Sequence, residues 1–313
     1  MPAVQDSDTS AAMAAAADTM GPLNALEADR YCEELRPFAF VDMGDARWVQ
    51  QHEFLTQLNL QAHVNASQQR DEFVLEAFVL HEKLPLLIRE LVACELWKQN
   101  AYPLLKGWLA ENNSIKSYLL LYHEGVLVNL LEALLYHKQA CDASGDLIVE
   151  LVDYCHRKLM WLLNAPPPKR PASAAELKEQ ILKEGSDEGH SDEQEYCITM
   201  SAALCALSIT RFLSDHLAAL PLAVTARILD TYDILMVLCP LLENKPWLSE
   251  NEEGEQRRFL QSQWSRVGEA EKRKMHKAEA QCWLAVYNLV LDPEMRRRYV
   301  SSSRFTYDLG EVD

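Results

Sequence analysis

The chain has 313 residues, with 30 basic and 47 acidic side chains and a formal charge of -17. Apolar residues make up 49% of it, which is enough for the core of one large domain or two ordinary ones. The negative charge repels phosphate backbones and anionic lipid surfaces, so we expect neither nucleic acid nor a membrane as a partner. Apolar runs such as residues 115–135 are interrupted by charged side chains, so no membrane span is expected.

Two weakly apolar regions divide the chain. An alanine run without an amphipathic repeat occupies the N-terminus, and three prolines at Pro166–Pro168 precede a strongly acidic stretch. The predicted organisation is a disordered arm at residues 1–22, N-terminal helical repeats at 23–164, a flexible linker at 165–194, C-terminal helical repeats at 195–300 and a flexible tail at 301–313.

The segments between these regions have apolar residues at helical spacing, and neither alternating runs nor hairpin turn sequences stand out. An all-α fold is therefore predicted. The predicted helices cover residues 23–36, 45–66, 71–80, 84–99, 102–111, 124–141, 146–163, 195–217, 221–232, 234–243, 256–264 and 269–291.

Three leucine-rich segments resemble one another, at residues 84–92, 125–135 and 234–243. The first two begin about 41 residues apart, within the range of about 40–47 residues for armadillo and HEAT units. The third follows at a distance near two further periods when the linker is set aside. An armadillo/HEAT-like solenoid with an extended groove is predicted. An irregular helical bundle is the alternative, because leucine-rich helices resemble one another by composition alone.

The eight cysteines are scattered and form no CxxC pair, so reduced cytosolic thiols are expected. The best arrangement for a metal would join His137 and Cys141, one helical turn apart, with Cys155 and His156. Consecutive side chains on a helix diverge by about 100°, so the last two would not converge on one ion. No metal site is predicted.

Nucleophilic catalysis would need a thiol such as Cys155 or Cys205, with His156 or His216 as its base. Both cysteines lie within leucine-rich helices, far from the glycine-bearing turns on which such nucleophiles usually sit. Neither a glycine-rich phosphate loop nor a nucleotide-binding fingerprint occurs. The sequence therefore predicts a protein that is not an enzyme and needs no cofactor.

Aromatic side chains in polar surroundings are the better candidates for partner binding. Trp108, Trp247 and Trp264 lie near polar or loop-like sequence, and an exposed tryptophan is a typical interface anchor. The chain ends in GEVD, with Asp313 last. This ending is similar to the EEVD termini that chaperones present to tetratricopeptide domains, so Asp313 is a further candidate contact.

Two predicted helices show clear amphipathic faces. At residues 147–163, apolar side chains recur at the spacing of one helical face, while Glu150, Asp153, Arg157 and Lys158 fall mostly elsewhere on the helix. In the last helix, the apolar face that we expect to seal the final repeat is formed by Ala280, Trp283, Leu284, Tyr287 and Leu291.

Many segments in fixed order resemble the family of zinc finger MYND domain-containing protein 10. The clearest is LVDYCHRKL at Leu151–Leu159. The others are Trp48, QQHE at Gln50–Glu53, Leu58, Asn59, Gln61, Ala62, Glu95, Trp97, Lys98, His123, Glu124, NLLE at Asn129–Glu132, His137, Lys138, Pro246, Trp247, Trp283, Ala285, Tyr287, Asn288 and Leu289.

The resemblance implies a non-enzymatic, co-chaperone-like adaptor for the cytoplasmic preassembly of axonemal dynein arms, which cilium motility requires. Implied partners are a leucine-rich-repeat assembly factor, heat-shock chaperones, an immunophilin co-chaperone and dynein chains as clients. The expected location is the cytoplasm, including centriolar satellites or dynein assembly foci. The family's zinc sites lie in a C-terminal MYND finger that this sequence lacks, so a truncated or alternative product is expected. A generic armadillo-like scaffold unrelated to cilia is the alternative.

Overall fold

The structure is a computed structural model, and it describes residues 22–69, 71–112, 114–168, 188–250, 255–269, 271–291, 293 and 296–297. Residues 1–21 of the predicted arm, most of the predicted linker and the whole predicted tail lie outside the described residues.

Helices dominate the described residues, which confirms the all-α prediction of a bundle or solenoid. In chain order they are α1 (Ala25–Glu34), α2 (Ala46–Gln68), α3 (Phe73–Leu80), α4 (Leu84–Asn100), α5 (Tyr102–Asn112), α6 (Ser114–Leu135), α7 (Lys138–Ala143), α8 (Ile148–Leu163), α9 (Glu188–His216), α10 (Leu222–Ala226), α11 (Leu235–Asn244) and α12 (Lys277–Leu291). A three-stranded sheet of β1 (Leu248–Glu250), β2 (Gln256–Leu260) and β3 (Gln263–Arg266) lies between α11 and α12.

Two long helices, α6 and α9, lie at the centre of the fold. Helix α6 packs against α2, α4, α5 and α9, and α9 also packs against α8 and α12. The main apolar core is continuous from Leu23 to Leu289, so helices from both predicted repeat regions share it. A smaller cluster surrounds Trp48, Trp97 and Tyr102.

The prediction of a helix at residues 256–264 is wrong, because these residues form β2 and the start of β3. The strands pair antiparallel, with Phe259 opposite Trp264, and the two rings meet edge to face at 5.6 Å. Gln261 and Ser262 form the two-residue turn, and both have positive φ, as the tight turns of hairpins require. The sequence lacks the Asn-Gly or Asp-Gly pair that usually marks such a turn, and cross-strand aromatic packing stabilises the hairpin instead.

Other differences from prediction concern helix ends. The helix predicted at residues 124–141 is two helices, α6 and α7, separated at Tyr136 and His137. The helix predicted from residue 269 begins at Lys277, where the buried side chain of His276 caps it by accepting a hydrogen bond from Ala278 N at 3.1 Å.

One helix, Asp192–Ala219, is long and apolar enough to cross a membrane by length and composition alone. In the structure, 56% of its apolar window is buried against neighbouring helices. A core helix passes the same test, and α9 occupies the centre of this fold.

Candidate functional site

The most unusual feature of the interior is a set of charged side chains between α4, α6 and α8. The carboxylate of Glu124 is fully buried and lies between two lysines. Lys98 Nζ is 2.7 Å from Oε2 of Glu124, and Lys158 Nζ is 2.5 Å from Oε1. The hydroxyl of the buried Tyr154 also donates to Oε1 at 2.9 Å. Every oxygen of this carboxylate is therefore satisfied by a charged or polar donor, as a buried ion requires.

A second carboxylate extends the same network. Glu95 accepts two hydrogen bonds from Arg157, from Nε at 2.9 Å and from Nη2 at 2.6 Å. Lys158 Nζ lies 3.4 Å from the other oxygen of Glu95, so this lysine bridges Glu95 and Glu124. Through Lys158, helix α8 is tied by charge to both α4 and α6.

A histidine pair occupies the neighbouring part of the interior. Nδ1 of His52 lies 2.8 Å from Nδ1 of His123, and Nε2 of His123 lies 3.2 Å from Oε1 of Glu90. Because a carboxylate only accepts, Nε2 of His123 carries its proton, and Nδ1 of His123 accepts from His52. The Trp48 ring stacks on His52 at 5.7 Å between centroids, with an interplanar angle of 9°.

The histidine pair is anchored to the segment that follows α1. Gln51 donates from Nε2 to Glu90 at 3.0 Å and to the carbonyl oxygen of Arg36 at 2.9 Å. Its oxygen accepts from the Arg36 backbone amide at 2.8 Å. One buried amide thus closes a chain of hydrogen bonds from the N-terminal segment, through α2 and α4, to α6.

Local electrostatics fix the charge states of this network. Burial alone would raise the pKa of Glu124, but Lys158 and Lys98 outweigh it and lower the pKa to about 2. Burial lowers the pKa of His52 to about 3, and the adjacent His123 acts in the same direction. Two carboxylates, Glu95 and Glu124, face the three cations Lys98, Arg157 and Lys158. The third carboxylate, Glu90, instead accepts hydrogen bonds from Gln51 and His123.

Such a network suits structural specificity better than proton transfer. Helices packed only by leucines can slide and rotate with little penalty, whereas buried ion pairs are satisfied in one register. Its charged groups are held by partners within hydrogen-bond distance, and all of them except the partly exposed Arg157 lie largely out of contact with solvent. We interpret the network as the device that fixes α2, α4, α6 and α8 relative to one another.

A second polar cluster lies between α2, α6 and α9. Asn129 donates from Nδ2 to Oδ1 of Asn59 at 3.1 Å, and its own oxygen accepts from the Cys205 thiol at 3.7 Å. Glu132, one turn further along α6, lies 3.4 Å from Lys277 Nζ at the start of α12. These contacts tie the last helix to the centre of the fold.

Trp247 and His276 hold the small sheet against α12. Trp247 is fully buried and stacks on His276, with 6.0 Å between ring centroids. His276 Nδ1 accepts from Ala278 N, so Nε2 carries the proton and donates to the Phe259 carbonyl at 3.0 Å. The imidazole therefore joins β2 to the first turn of α12.

The predicted partner-binding residues have different positions in the structure. Trp108 on α5 is 60% exposed beside Leu104 and Leu105, while Trp264 is half-buried against the core. The expectation that Trp247 is exposed is wrong, because Pro246 and Trp247 lead directly into β1 and the indole fills the space beneath the hairpin. Asp313 lies outside the described residues.

The prediction for the sealing face of α12 is also wrong. Trp283, Leu284, Tyr287 and Leu291 are exposed. The face that packs on α9 and α11 is formed by small and medium side chains at Ala278, Cys282, Ala285 and Leu289. Small side chains allow close approach of the helices, and the large aromatic groups point outward.

The candidate metal and catalytic residues do not converge. His156 stacks on Tyr232 at 3.8 Å near the surface, whereas the neighbouring Cys155 is buried. Burial raises the pKa of Cys155 to about 12, which disfavours a thiolate. Nowhere in the described part of the chain do three or more His, Cys, Asp or Glu side chains form a group that could hold a metal.

The spacing of apolar residues did not reveal the buried network, although most of its members carry the resemblance. Lys158, which was expected mostly outside the packed face of its helix, is buried, and that expectation is wrong. The available signal was the charged or polar residues inside otherwise apolar helical stretches, at Lys98, His123, Glu124 and Lys158. Periodicity assigns such residues to a face, but it cannot show that charges from four helices meet.

Comparison with known proteins supports the resemblance. The chain is 29% identical over 272 residues, 86% of its length, to the zinc finger MYND domain-containing protein 10 homolog of Drosophila melanogaster. It spans 58% of the length of that relative. No protein-family profile matches the chain, and no solved structure matches it.

Most members of the buried network are among the residues that carry the resemblance. Trp48, His52, Glu95 and Lys98 contribute from α2 and α4, and the remaining members from α6 and α8 are His123, Glu124, Tyr154, Arg157 and Lys158. The chain is thus similar over most of its length to the zinc finger MYND domain-containing protein 10 homolog, which confirms the resemblance that its sequence predicted.

Proposed function

We propose that this protein is a non-enzymatic adaptor in the cytoplasmic preassembly of axonemal dynein arms. The observation that carries the proposal is the buried network, because it is built from residues that resemble that family and it fixes the register of four helices. A rigid helical body of this kind presents a fixed surface to other polypeptides.

The proposed partners are a leucine-rich-repeat assembly factor, heat-shock chaperones, an immunophilin co-chaperone and dynein chains as clients. The proposed site of action is the cytoplasm, with centriolar satellites or dynein assembly foci as places of concentration. The negative charge supports protein partners over nucleic acid and anionic membranes. Exposed aromatic side chains such as Trp108 supply candidate anchors on the surface.

Affinity purification from cells that are building motile cilia tests this proposal. We expect the tagged chain to enrich dynein chains and assembly factors, and Trp108→Ala to reduce that recovery. Leu222→Ala is the matched control, because Leu222 is also a large exposed apolar residue but lies on α10. Recovery of only unrelated cargo would favour the alternative, a generic armadillo-like scaffold.

The non-enzymatic part of the proposal has its own test. A hydrolase would use Cys155 with His156, but this thiol is buried with a raised pKa and the imidazole stacks on Tyr232. We expect Cys155→Ser to keep the same recovered partners as the unchanged chain. Turnover of a substrate that disappears with Cys155→Ser would contradict the adaptor proposal.

A further inference from the structure

Helix α12 is apolar on two opposite faces. Its inner face, of small and medium side chains, packs on α9 and α11. Its outer face consists of five side chains that are 40–60% exposed, at Trp283, Leu284, Tyr287, Val290 and Leu291. At about 100° per residue, these five side chains fall within about 120° of one another around the helix axis. A helix that is apolar all round is normally buried all round, so the outer face of α12 has the composition of an interface.

The outer face ends in a groove between the end of α9 and the C-terminal half of α12. The groove has a volume of about 300 Å³, and Leu217, Tyr287 and Leu291 supply its apolar lining. Asp215 also lines the groove, but its carboxylate pairs with Arg211 at 3.0 Å. The groove can therefore receive an apolar side chain from a segment that lies along the outer face.

The segment that precedes α12 is basic, in contrast to the chain as a whole. Residues 256–277 carry seven basic and two acidic side chains, a net charge of +5 within a chain of -17. Arg273 and Lys274 are both exposed. Arg258 on β2 donates from Nη2 to the carbonyl oxygens of Lys272 at 3.3 Å and Lys274 at 2.8 Å. The backbone beneath the two exposed cations is thus fixed to the sheet, just before the first turn of α12.

We propose that the outer face of α12 binds an amphipathic segment of a partner protein that carries acidic residues beside its apolar face. Trp283 lies six residues after Lys277, which is about 9 Å along the helix axis. One segment can therefore cover Trp283 and Tyr287 and also pair its carboxylates with Arg273 and Lys274. This inference names the kind of partner that the proposed adaptor binds, and it rests on that proposed function.

Charge argues against the other candidate occupants. Residues 296 and 297, beyond α12, are also helical, and Arg296 and Arg297 are exposed, so basic residues lie near both ends of the outer face. Two copies joined through this face would bring like charges together in either a parallel or an antiparallel arrangement. A basic, aromatic face can also bind anionic lipid, but a membrane would face the acidic remainder of the chain as well. A short segment responds mainly to charges within a Debye length of about 8–10 Å.

Fluorescence anisotropy with a labelled synthetic peptide tests the proposal on the purified full chain. The probe is an amphipathic helix of about 18 residues, with leucines on one face and glutamates beside that face. We expect the probe to bind, and we expect its affinity to fall about tenfold or more when lysines replace the glutamates. A scrambled peptide of the same composition has no apolar face and should also bind more weakly by about tenfold. Absence of binding by the acidic probe, or equal binding by the lysine peptide, would overturn the proposal.

Substitution of the aromatic residues locates the apolar part of the site. Trp283→Ser combined with Tyr287→Ser should weaken binding of the acidic probe by about tenfold or more, because these two residues supply the largest side chains of the face. Leu222→Ser combined with Met236→Ser is the matched control, since both residues are large, apolar and exposed but lie on α10 and α11. The control should leave the affinity unchanged. An equal loss of affinity in both variants would show that the probe binds elsewhere.

Charge reversal locates the basic part of the site. Arg273→Glu combined with Lys274→Glu should weaken binding of the acidic probe by about tenfold at low ionic strength, and added salt should reduce this difference. Arg30→Glu combined with Lys138→Glu changes the total charge by the same amount at exposed positions on α1 and α7, and it should have little effect. Equal losses in the two variants would mean that the probe senses only the total charge, which contradicts the proposal.

Two further measurements address the other occupants. In sedimentation velocity, a dimer that Trp283→Ser dissociates would assign the outer face to a second copy of the chain. Tighter binding to phosphatidylserine vesicles than to the acidic probe would assign it to a membrane. Either result would overturn the proposal. All of these measurements use the purified chain, so their failure is distinguishable from failure of the proposed function, which is tested by recovery of dynein chains and assembly factors from cells.

Discussion

The ammonium group of Lys158 lies 2.5 Å from Oε1 of Glu124, a carboxylate with no solvent exposure. One residue on α8 and one on α6 thereby form an ion pair in the interior, and Lys98 on α4 completes it. Removing either partner of such a pair lowers the free energy of unfolding, because the remaining charge stays buried without its partner. This relationship makes the network testable by substitution.

Replacing Lys158 by methionine should reduce the free energy of unfolding strongly. Methionine keeps the apolar part of the side chain but leaves Glu124 and Glu95 without the bridging charge, and breaking a buried pair typically costs about 3–5 kcal/mol. Chemical denaturation of the purified variant measures the loss. The matched control is Lys138→Met, because Lys138 pairs with Asp142 at 2.6 Å in an exposed position. That pair should contribute about 0.5 kcal/mol or less. Equal effects of the two substitutions would show that the buried network is not a major source of stability.

The histidine pair predicts a loss of stability in mild acid. The pKa of His52 is about 3 in the folded chain, whereas its ordinary value of 6.5 applies in the unfolded chain. Below pH 6.5 the unfolded state therefore binds a proton that the folded state does not, and stability falls as the pH falls from 6.5 towards 3. At about pH 5.5 the contribution lost should be about 1.4 kcal/mol, one unit below the unfolded value.

The variant His52→Asn isolates this effect. Asparagine places a hydrogen-bonding group near the position of Nδ1 but does not titrate. Between pH 5.5 and 6.5 the slope of stability against pH should therefore fall by about 0.7 of a proton, because an unfolded histidine of pKa 6.5 is only half protonated at pH 6.5. Denaturation at a series of pH values measures the slope. His81→Asn is the control, because His81 pairs with Asp29 at a partly exposed site. An unchanged slope in His52→Asn would show that other groups dominate acid unfolding in this range.

Substitutions of a buried and an exposed tryptophan should differ in their effect on the free energy of unfolding. Trp247 is fully buried, and Trp247→Ala should reduce the free energy of unfolding by about 3–5 kcal/mol. Trp247→Phe should cost less, because the indole N–H has no hydrogen-bond partner within the part of the chain that the structure describes. Trp108→Ala should change the free energy of unfolding by only about 0.5 kcal/mol, since the side chain is 60% exposed. Denaturation curves of the three variants make this comparison, and a large loss in Trp108→Ala would contradict it.

His276 should act as a helix cap and a tether for the sheet. His276→Ala removes the acceptor for Ala278 N and the donor to Phe259 O, and loss of a cap typically costs about 1 kcal/mol. His276→Asn should restore the cap, because asparagine accepts well at this position. Amide hydrogen exchange reports the outcome. Protection should fall in the first turn of α12 with alanine and largely return with asparagine, and equal exchange in both variants would exclude the capping role.

The fold class followed from sequence because amphipathic helices carry their own signal. The spacing of apolar residues in α4 and α8 predicted these two helices to within a few residues, whereas the helix predicted at 124–141 missed the first turns of α6 and ran on into α7. The spacing of apolar residues did not predict the hairpin at Gln256–Arg266. Its turn residues are unusual, and the pairing of Phe259 with Trp264 depends on two strands that meet only after folding.

The last helix shows where periodicity stops being informative. Helix α12 has apolar residues on both faces, and the large aromatic set at Trp283 and Tyr287 appeared the better candidate for burial. Packing against α9 and α11 selected the face with Ala278 and Ala285 instead. Close approach between helix backbones favours small side chains at the contact. Hydrophobicity alone does not report that distance.

The sequence by itself determined the helical class and the resemblance. It also showed that the cysteines form no closely spaced pairs. Each of these properties depends on residues that are close together along the chain. Only the tertiary structure decided that Lys98, Glu124 and Lys158 meet in the interior, and that His52 contacts His123 across 71 positions. The physical reason is that the free energy of a buried charge depends on the distance to its partner. That distance is set by the packing of helices from separate parts of the chain.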